Sequence, residues 1–152
     1  MSQTAGQTLQ NAASAAQDAA SAVQDATSAV DTIFSAPHLR WGVIGCGVIA
    51  NQMAEALASV GRTIDGVANR TQAKAVAFAQ KHHVKQVYDS IDDLLASDRI
   101  DAVYLTTPHN THIIYLRKAL QAGKHVLCEK SITLNSAELL EAEELARQNG
   151  VQ

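Results

Sequence analysis

Three small residues at fixed spacing, Gly45-x-Gly47-x-x-Ala50, stand where a short apolar run ends and a helical pattern begins. A turn without bulky side chains suits one kind of chemistry. It brings main-chain N–H groups up to an anion at the positive end of a helix dipole. The spacing is the glycine fingerprint of a dinucleotide-binding fold, with a role for each position. Gly45 allows the tight turn, Gly47 lets backbone approach a pyrophosphate, and Ala50 lets helix and strand pack closely. A second group, Ala68-Asn69-Arg70-Thr71, falls some two dozen residues after Gly45. In such folds the residue ending the second strand meets the adenosine ribose, where a carboxylate selects NAD and a neutral residue beside an arginine admits the 2′-phosphate of NADP. No carboxylate is present here, and Arg70 can pair with a phosphate bidentately and stack on adenine. The expected cofactor is NADP, with NAD as second choice.

These groups need strands and helices to hold them, and the chain supplies an alternation of the two. From Leu39 onward, short apolar strands at about 39–45, 63–68, 86–88, 101–106 and 125–128 alternate with amphipathic helices at about 48–60, 91–96, 112–121 and 136–148. A further helix carries Ala73, Val76, Ala77 and Ala79 to Lys81-His82-His83. This pattern predicts a Rossmann-type, doubly wound parallel sheet with helices on both faces. Met53, Ala54, Leu57 and Ala58 are the expected apolar face of the first of these helices. Ser90 is the expected N-cap of the helix at Ile91, and Gly150 the C-cap of the last one. Another strand is expected to begin at Val151-Gln152.

Residues 1–36 differ in composition, with a near repeat of period seven: AASAAQD, AASAVQD, ATSAVDT. Leu9, Ala16, Val23 and Val30 share one heptad position, and Ala12, Ala19, Ala26 and Ile33 another. This predicts an Ala-rich helix ended by Pro37, either a small-residue oligomerisation arm or a plain helical extension. The expected domains are therefore 1–36 and 37–152. Of the 152 residues, 47% are hydrophobic and 18% charged, an ordinary soluble composition. Three acids and no base lie in residues 1–36, and the remaining twelve acids balance the twelve bases. Bulk charge gives no reason to expect a nucleic-acid partner. No apolar run is long enough to span a membrane, and Cys46 and Cys128 form neither a disulfide framework nor a metal spacing. The expectation is a cytoplasmic protein with reduced thiols and no metal.

Four pieces, WGVIGCGVIA, GVANRTQAKA, VYLTTPHNTH and ALQAGKHVLCEK, follow one another in an order that resembles the Gfo/Idh/MocA family of oxidoreductases, on the side of its dihydrodiol-dehydrogenase-like branch. The resemblance runs from about Leu39 to Gln152, and Ala122–Lys130 is its most specific part. It implies that Gly45, Cys46, Gly47, Val48 and Ile49 hold the pyrophosphate and that Asn69 and Arg70 surround the 2′-phosphate. It further implies that Thr106, Thr107, Pro108, Asn110 and His112 border the ribose and nicotinamide. Glu129 and Lys130 match the family's Glu-Lys-Pro signature beside the nicotinamide, which makes Lys130 the catalytic candidate. An ammonium there suits an oxygen gaining negative character. Ser131 departs from the signature proline and frees the backbone that aims Lys130.

The family reaction is hydride transfer between nicotinamide and a hydroxyl- or carbonyl-bearing carbon of a sugar, cyclitol or dihydrodiol-like substrate. Family members carry a second domain with the substrate pocket, a proton-transferring histidine and the dimer sheet. This sequence has no counterpart of it, so the expectation is a truncated form with little activity alone. Two other classes stay open: a non-catalytic NADP-binding sensor, and a structural fragment that oligomerises through its heptads. Uncovered sheet surface would favour self-association. Among the remaining polar residues, His82 and His83 are expected to complement a helix C-terminus as partly charged imidazoles. His109 stands in the strand-end loop with His112, and His112 serves equally well to order the helix it begins. His125 and Cys128 are expected in the core, and Glu138, Glu141, Glu143 and Glu144 on a solvated helix face.

Overall fold

The computed structural model describes residues 14–25, 27 and 38–152. Two units divide it, one up to His38 and the other from Leu39 to Gln152. In the first unit residues 14–25 are helical (α1), and the Thr27 hydroxyl donates to the Val23 carbonyl at 2.8 Å. Ala16, Ala19 and Val23 of the heptad pattern lie on this helix. Leu9, Ala12, Ala26, Val30, Ile33 and the stop at Pro37 lie outside the described residues.

In the second unit the order is β1 (Trp41–Ile44), α2 (Val48–Ser59), β2 (Gly66–Ala68), α3 (Gln72–His82), β3 (Gln86–Val87), α4 (Ile91–Ala96), β4 (Ala102–Leu105), α5 (His112–Gln121), β5 (His125–Cys128) and α6 (Ser136–Asn149). A single 3-10 turn at His109–Thr111 precedes α5. The strands form one sheet in the order β3-β2-β1-β4-β5, and every pairing is parallel. Alternate residues of each strand face opposite sides. Val43, Val67 and Tyr104 pack with Ala50, Ala54 and Phe78 of α2 and α3, while Ile44, Ala68 and Leu105 pack with Leu94, Leu116 and Leu120 of α4 and α5. Apolar side chains on both faces are what a doubly wound sheet requires.

The register decides where functional groups can meet. Ile44 stands beside both Ala68 and Leu105, and Leu105 beside Cys128, so four strands end at one level. The residues that follow continue the ladder: Gly45 N–H donates to Ala68 O at 3.1 Å, Thr106 N–H to Ile44 O at 3.0 Å, and Glu129 N–H to Leu105 O at 3.0 Å. Gly45, Asn69, Thr106 and Glu129 thereby form one row along the carboxyl edge. β1 has β2 on one side and β4 on the other, so the chain changes direction there, the place where open α/β sheets bind ligands.

Helix ends follow their local chemistry. The Ser90 hydroxyl accepts from Asp93 N–H at 3.0 Å, as expected of an N-cap. The last helix is capped by Asn135, whose side-chain oxygen accepts from Glu138 N–H at 2.9 Å, and it ends at Gly150 in left-handed geometry with φ +66°. Two apolar faces differ from expectation. α3 buries Ala75, Phe78 and Ala79, leaving Ala73, Val76 and Ala77 exposed. An alanine-rich helix has several apolar stripes of similar strength, and the one bearing the bulky Phe78 wins the core because it buries most area. α2 buries Ala50 with Ala54, and Ala58 is exposed. Beyond Gly150 the Gln152 carbonyl accepts from Val126 N–H at 2.7 Å on the outer edge of β5, without forming a strand. Leu127, Ile132, Leu134 and Leu140 are exposed. No described helix is long and apolar enough to cross a membrane.

Candidate functional site

A cleft of about 370 Å³ opens at the carboxyl edge, over the crossover between β1 and β4. Its floor is the glycine turn. Gly45 has φ +103°, and a Cβ there would lie 2.7 Å from Thr106 Oγ1 and 3.1 Å from the Thr106 carbonyl carbon. Glycine is therefore required twice, by the backbone angle and by the approach of the β4 loop. Gly47 is different. Its backbone is extended (φ −80°, ψ −171°), which any residue adopts, and a Cβ there would meet nothing within 4 Å. Packing within the protein gives no reason for a glycine at this position. It is also the N-cap of α2, with no side-chain cap and no acid in the first turn. The first N–H groups of a 12-residue helix thus face open space, which is a fit for a pyrophosphate. Ala50 is wholly buried, consistent with close helix–strand packing.

One wall is the end of β2 and the start of α3, with Asn69, Arg70, Thr71 and Lys74. The Asn69 amide donates to Thr71 O at 3.0 Å and closes a short turn that turns Arg70 outward. Arg70, just before α3, and Lys74, in its first turn, are both exposed, and neither is ion-paired with a described residue. Among the described residues no carboxylate lines the cleft. The opposite wall is the loop after β4. Thr106, Thr107 and Pro108 line it, joined by Thr111, whose hydroxyl makes contacts of 2.9 Å to Thr107 Oγ1 and 2.7 Å to Pro108 O. Ile91 and Tyr115 complete the lining with apolar surface.

The structure therefore brings together Gly45, Cys46, Gly47, Asn69, Arg70, Thr106, Thr107 and Pro108 of the residues singled out from sequence. Val48 and Ile49 lie just outside, exposed on the first turn of α2. Asn110 is exposed on the 3-10 turn and away from the lining. His112 is wholly buried, its Nε2 2.7 Å from Thr107 O and its Nδ1 2.9 Å from Ser131 O, so it ties two loops together beneath the surface. Glu129 accepts a short hydrogen bond from the Tyr104 hydroxyl. Burial, and then Glu129, push Tyr104 well above the ordinary phenol range, so it stays a donor. Lys130 is exposed, without an ion pair to a described residue, and precedes a cis peptide bond to Ser131. The two thiols are free, and burial pushes both up to about 11, so neither is a nucleophile near neutral pH. His82, expected to be partly charged, is instead held toward the neutral form by burial and then by Lys81. Among the described residues no three His, Cys, Asp or Glu side chains gather as metal ligands.

Sequence reading missed Lys74, Ile91, Thr111 and Tyr115, and had Thr71 only as a member of the strand-end group. Lys74 had no signal in helical spacing, because Arg70 lies before the helix whose first turn carries Lys74. Ile91 and Tyr115 had none, because their place depends on the crossover.

An unblocked helix N-terminus, a glycine turn and a cationic wall at the switch point of a parallel sheet define a nicotinamide-dinucleotide-binding Rossmann domain. The chain belongs to the Gfo/Idh/MocA group, described as "Oxidoreductase family, NAD-binding Rossmann fold", whose family model matches residues 39–152. Among its relatives, mouse trans-1,2-dihydrobenzene-1,2-diol dehydrogenase is 36% identical over 116 residues, covering 74% of this chain and 35% of the mouse protein. The human protein of the same name is 35% identical over 106 residues, covering 68% of this chain and 32% of its own length. Among solved structures, an NAD-binding oxidoreductase from Klebsiella pneumoniae superposes with a TM-score of 0.72 at 28% identity, covering 76% of this chain and 33% of that one. KijD10, a 3-ketoreductase from Actinomadura kijaniata solved with NADP and TDP-benzene, gives a TM-score of 0.71 at 32% identity over 76% of this chain and 36% of that one. The chain spans about a third of the length of the curated relatives it matches.

Proposed function

We propose that residues 37–152 bind NADP in preference to NAD and serve as the cofactor half of a hydride-transferring oxidoreductase, with residues 1–36 as an Ala-rich extension to it. The observation that carries the cofactor choice is the wall of the cleft: among the described residues, two cations without ion-pair partners, Arg70 and Lys74, and no carboxylate. A ribose 2′-phosphate supplies the missing counter-charge, whereas the diol of NAD leaves both cations unpaired. The N–H groups of Gly47, Val48 and Ile49 hold the pyrophosphate at the α2 terminus, and the Thr107–Pro108 segment walls the nicotinamide side. The NADP complexes of KijD10 support the same preference by analogy.

When bound, the cofactor supplies or accepts a hydride at C4 of its nicotinamide. The chain's own part is to orient that ring, and to present the Lys130 ammonium to the oxygen whose charge changes at the reacting carbon. The substrate is a small molecule with an oxidisable hydroxyl or its carbonyl counterpart, of sugar, cyclitol or dihydrodiol type; the names of a dihydrodiol dehydrogenase and a 3-ketoreductase among the relatives support the hydroxyl–carbonyl chemistry. Little turnover is expected from this chain alone. The exposed Leu127, Ile132, Leu134 and Leu140 support self-association at high concentration, and the free thiols suit a cytoplasmic setting. Titration of the 152-residue protein with NADPH and NADH, followed by nicotinamide fluorescence, tests the reading. Saturable binding at least tenfold tighter for NADPH is the expected result. Absence of binding, or a preference for NADH, overturns it.

A further inference from the structure

Asn51 sits one turn inside α2, and its side chain folds back toward the glycine turn. Its Nδ2 donates to Gly47 O at 2.8 Å, alongside the Asn51 main-chain N–H to the same oxygen at 3.2 Å. A carbonyl oxygen only accepts, so the amide nitrogen faces Gly47 and the amide oxygen faces the other way. That oxygen meets two groups from the end of α3: His82 Nε2 at 2.7 Å and Lys81 Nζ at 3.0 Å. Lys81 also reaches Glu55 Oε1 at 3.2 Å, and the His82 ring packs on Phe78 with centroids 4.7 Å apart. Every orientation follows from the first bond: Asn51 Oδ1 accepts, so His82 carries its proton on Nε2. Neither Asn51 nor His82 lines the cleft.

We infer that Asn51 is a positioning residue for the pyrophosphate turn, held in its working orientation by Lys81 and His82. A planar trans peptide points its C=O and N–H in opposite directions. Two donors drawing the Gly47 carbonyl down the helix therefore aim the Val48 N–H out of the helix end, into the space that Gly47 keeps open. A glycine N-cap has no side chain to fix this peptide, and the Asn51 amide supplies that restraint from within the helix. The inference rests on the NADP reading above, and adds to it a residue that touches no cofactor atom.

Two variants separate positioning from mere helix-to-helix clipping. Asn51→Asp keeps acceptors for Lys81 and His82 but cannot donate to Gly47 O. Asn51→Leu removes both sets of bonds without adding charge. NADPH and adenosine 2′-monophosphate, which carries the 2′-phosphate but no pyrophosphate, are titrated into wild type and both variants. Positioning predicts NADPH affinity at least fivefold weaker in both variants, the equivalent of one lost hydrogen bond, with adenosine 2′-monophosphate binding unchanged. The inference is overturned if Asn51→Asp binds NADPH as wild type does, since clipping alone is then enough. It is equally overturned if both ligands weaken together, which marks a general loss of fold. A wild-type protein that binds neither ligand removes the NADP reading itself, and the inference with it.

Discussion

The two glycines of the turn are predicted to fail in opposite ways when each becomes alanine. At Gly45 the new Cβ falls 2.7 Å from Thr106 Oγ1 and 3.1 Å from its carbonyl carbon, on a backbone with φ +103°. The strained backbone costs about 1–3 kcal/mol and the overlap, relieved only by moving the β4 loop, about 1–3 kcal/mol more. A net loss of about 3 kcal/mol lowers the midpoint of a domain this size by roughly 10–15 °C. At Gly47 the angles suit alanine and nothing lies within 4 Å. Alanine is a poorer N-cap than glycine by about 0.5–1 kcal/mol, while its smaller unfolded-state entropy returns about 0.4–1 kcal/mol. The two offset, so Gly47→Ala leaves stability within about 0.5 kcal/mol of wild type. Its Cβ nevertheless occupies the space argued to take the pyrophosphate, and NADPH affinity falls by about tenfold or more. Urea unfolding and NADPH titration of both variants give the two readouts. If Gly47→Ala binds NADPH as wild type does, or unfolds as readily as Gly45→Ala, the assignment of that space to a ligand is wrong.

Two further outcomes follow from the charges. Arg70→Ala and Lys74→Ala each remove an exposed cation from the wall proposed to take the 2′-phosphate, and at high effective dielectric each is expected to weaken NADPH about five- to thirtyfold. NADH binding stays unchanged, and the NADPH effect shrinks between low and high salt; equal losses for both cofactors would point away from the 2′-phosphate. On the far side of the domain, Arg40 holds Asp101 through paired hydrogen bonds, one of 2.9 Å to Oδ2, and brings the carboxyl down to about 2. A depressed folded value means that this contribution is complete above the unfolded value near 3.9 and is lost as pH falls through about 2. Asp101→Asn should therefore flatten the decline of stability between about pH 4 and 2, read from urea midpoints; an unchanged slope would mean that the pair adds nothing in solution.

Much of the fold was legible because period and punctuation agreed. Ile91–Ala96 with its Ser90 cap, His112–Gln121 and His125–Cys128 stand where apolar spacing and turn residues put them. Legibility failed where side chains were too alike to rank, as in α3, whose alanines offered several stripes until Phe78 chose one. It failed also in the most specific motif. Lys124, inside Ala122–Lys130, is a buried structural cation, its ammonium donating to Ser97 O at 2.7 Å and Ile100 O at 2.8 Å. A chain motif cannot say which of its residues face a ligand and which hold up a loop.

What the sequence determined by itself was local: a strand-turn-helix with two glycines, a second strand end with a neutral residue beside an arginine and no carboxylate, and an alternation that forces a parallel sheet. Those follow from nearest-neighbour sterics, helical and strand periods, and the types of side chain present. The tertiary structure alone decided which groups share a cleft. Register levelled Gly45, Asn69, Thr106 and Glu129 along one edge, and the crossover brought Ile91 and Tyr115 to the same wall. It also buried His112 between two loops and turned Asn51 back onto Gly47. Each of these joins residues distant in the chain or fixes a rotamer by its neighbours, and neither kind of fact is written in the spacing of residues along a line.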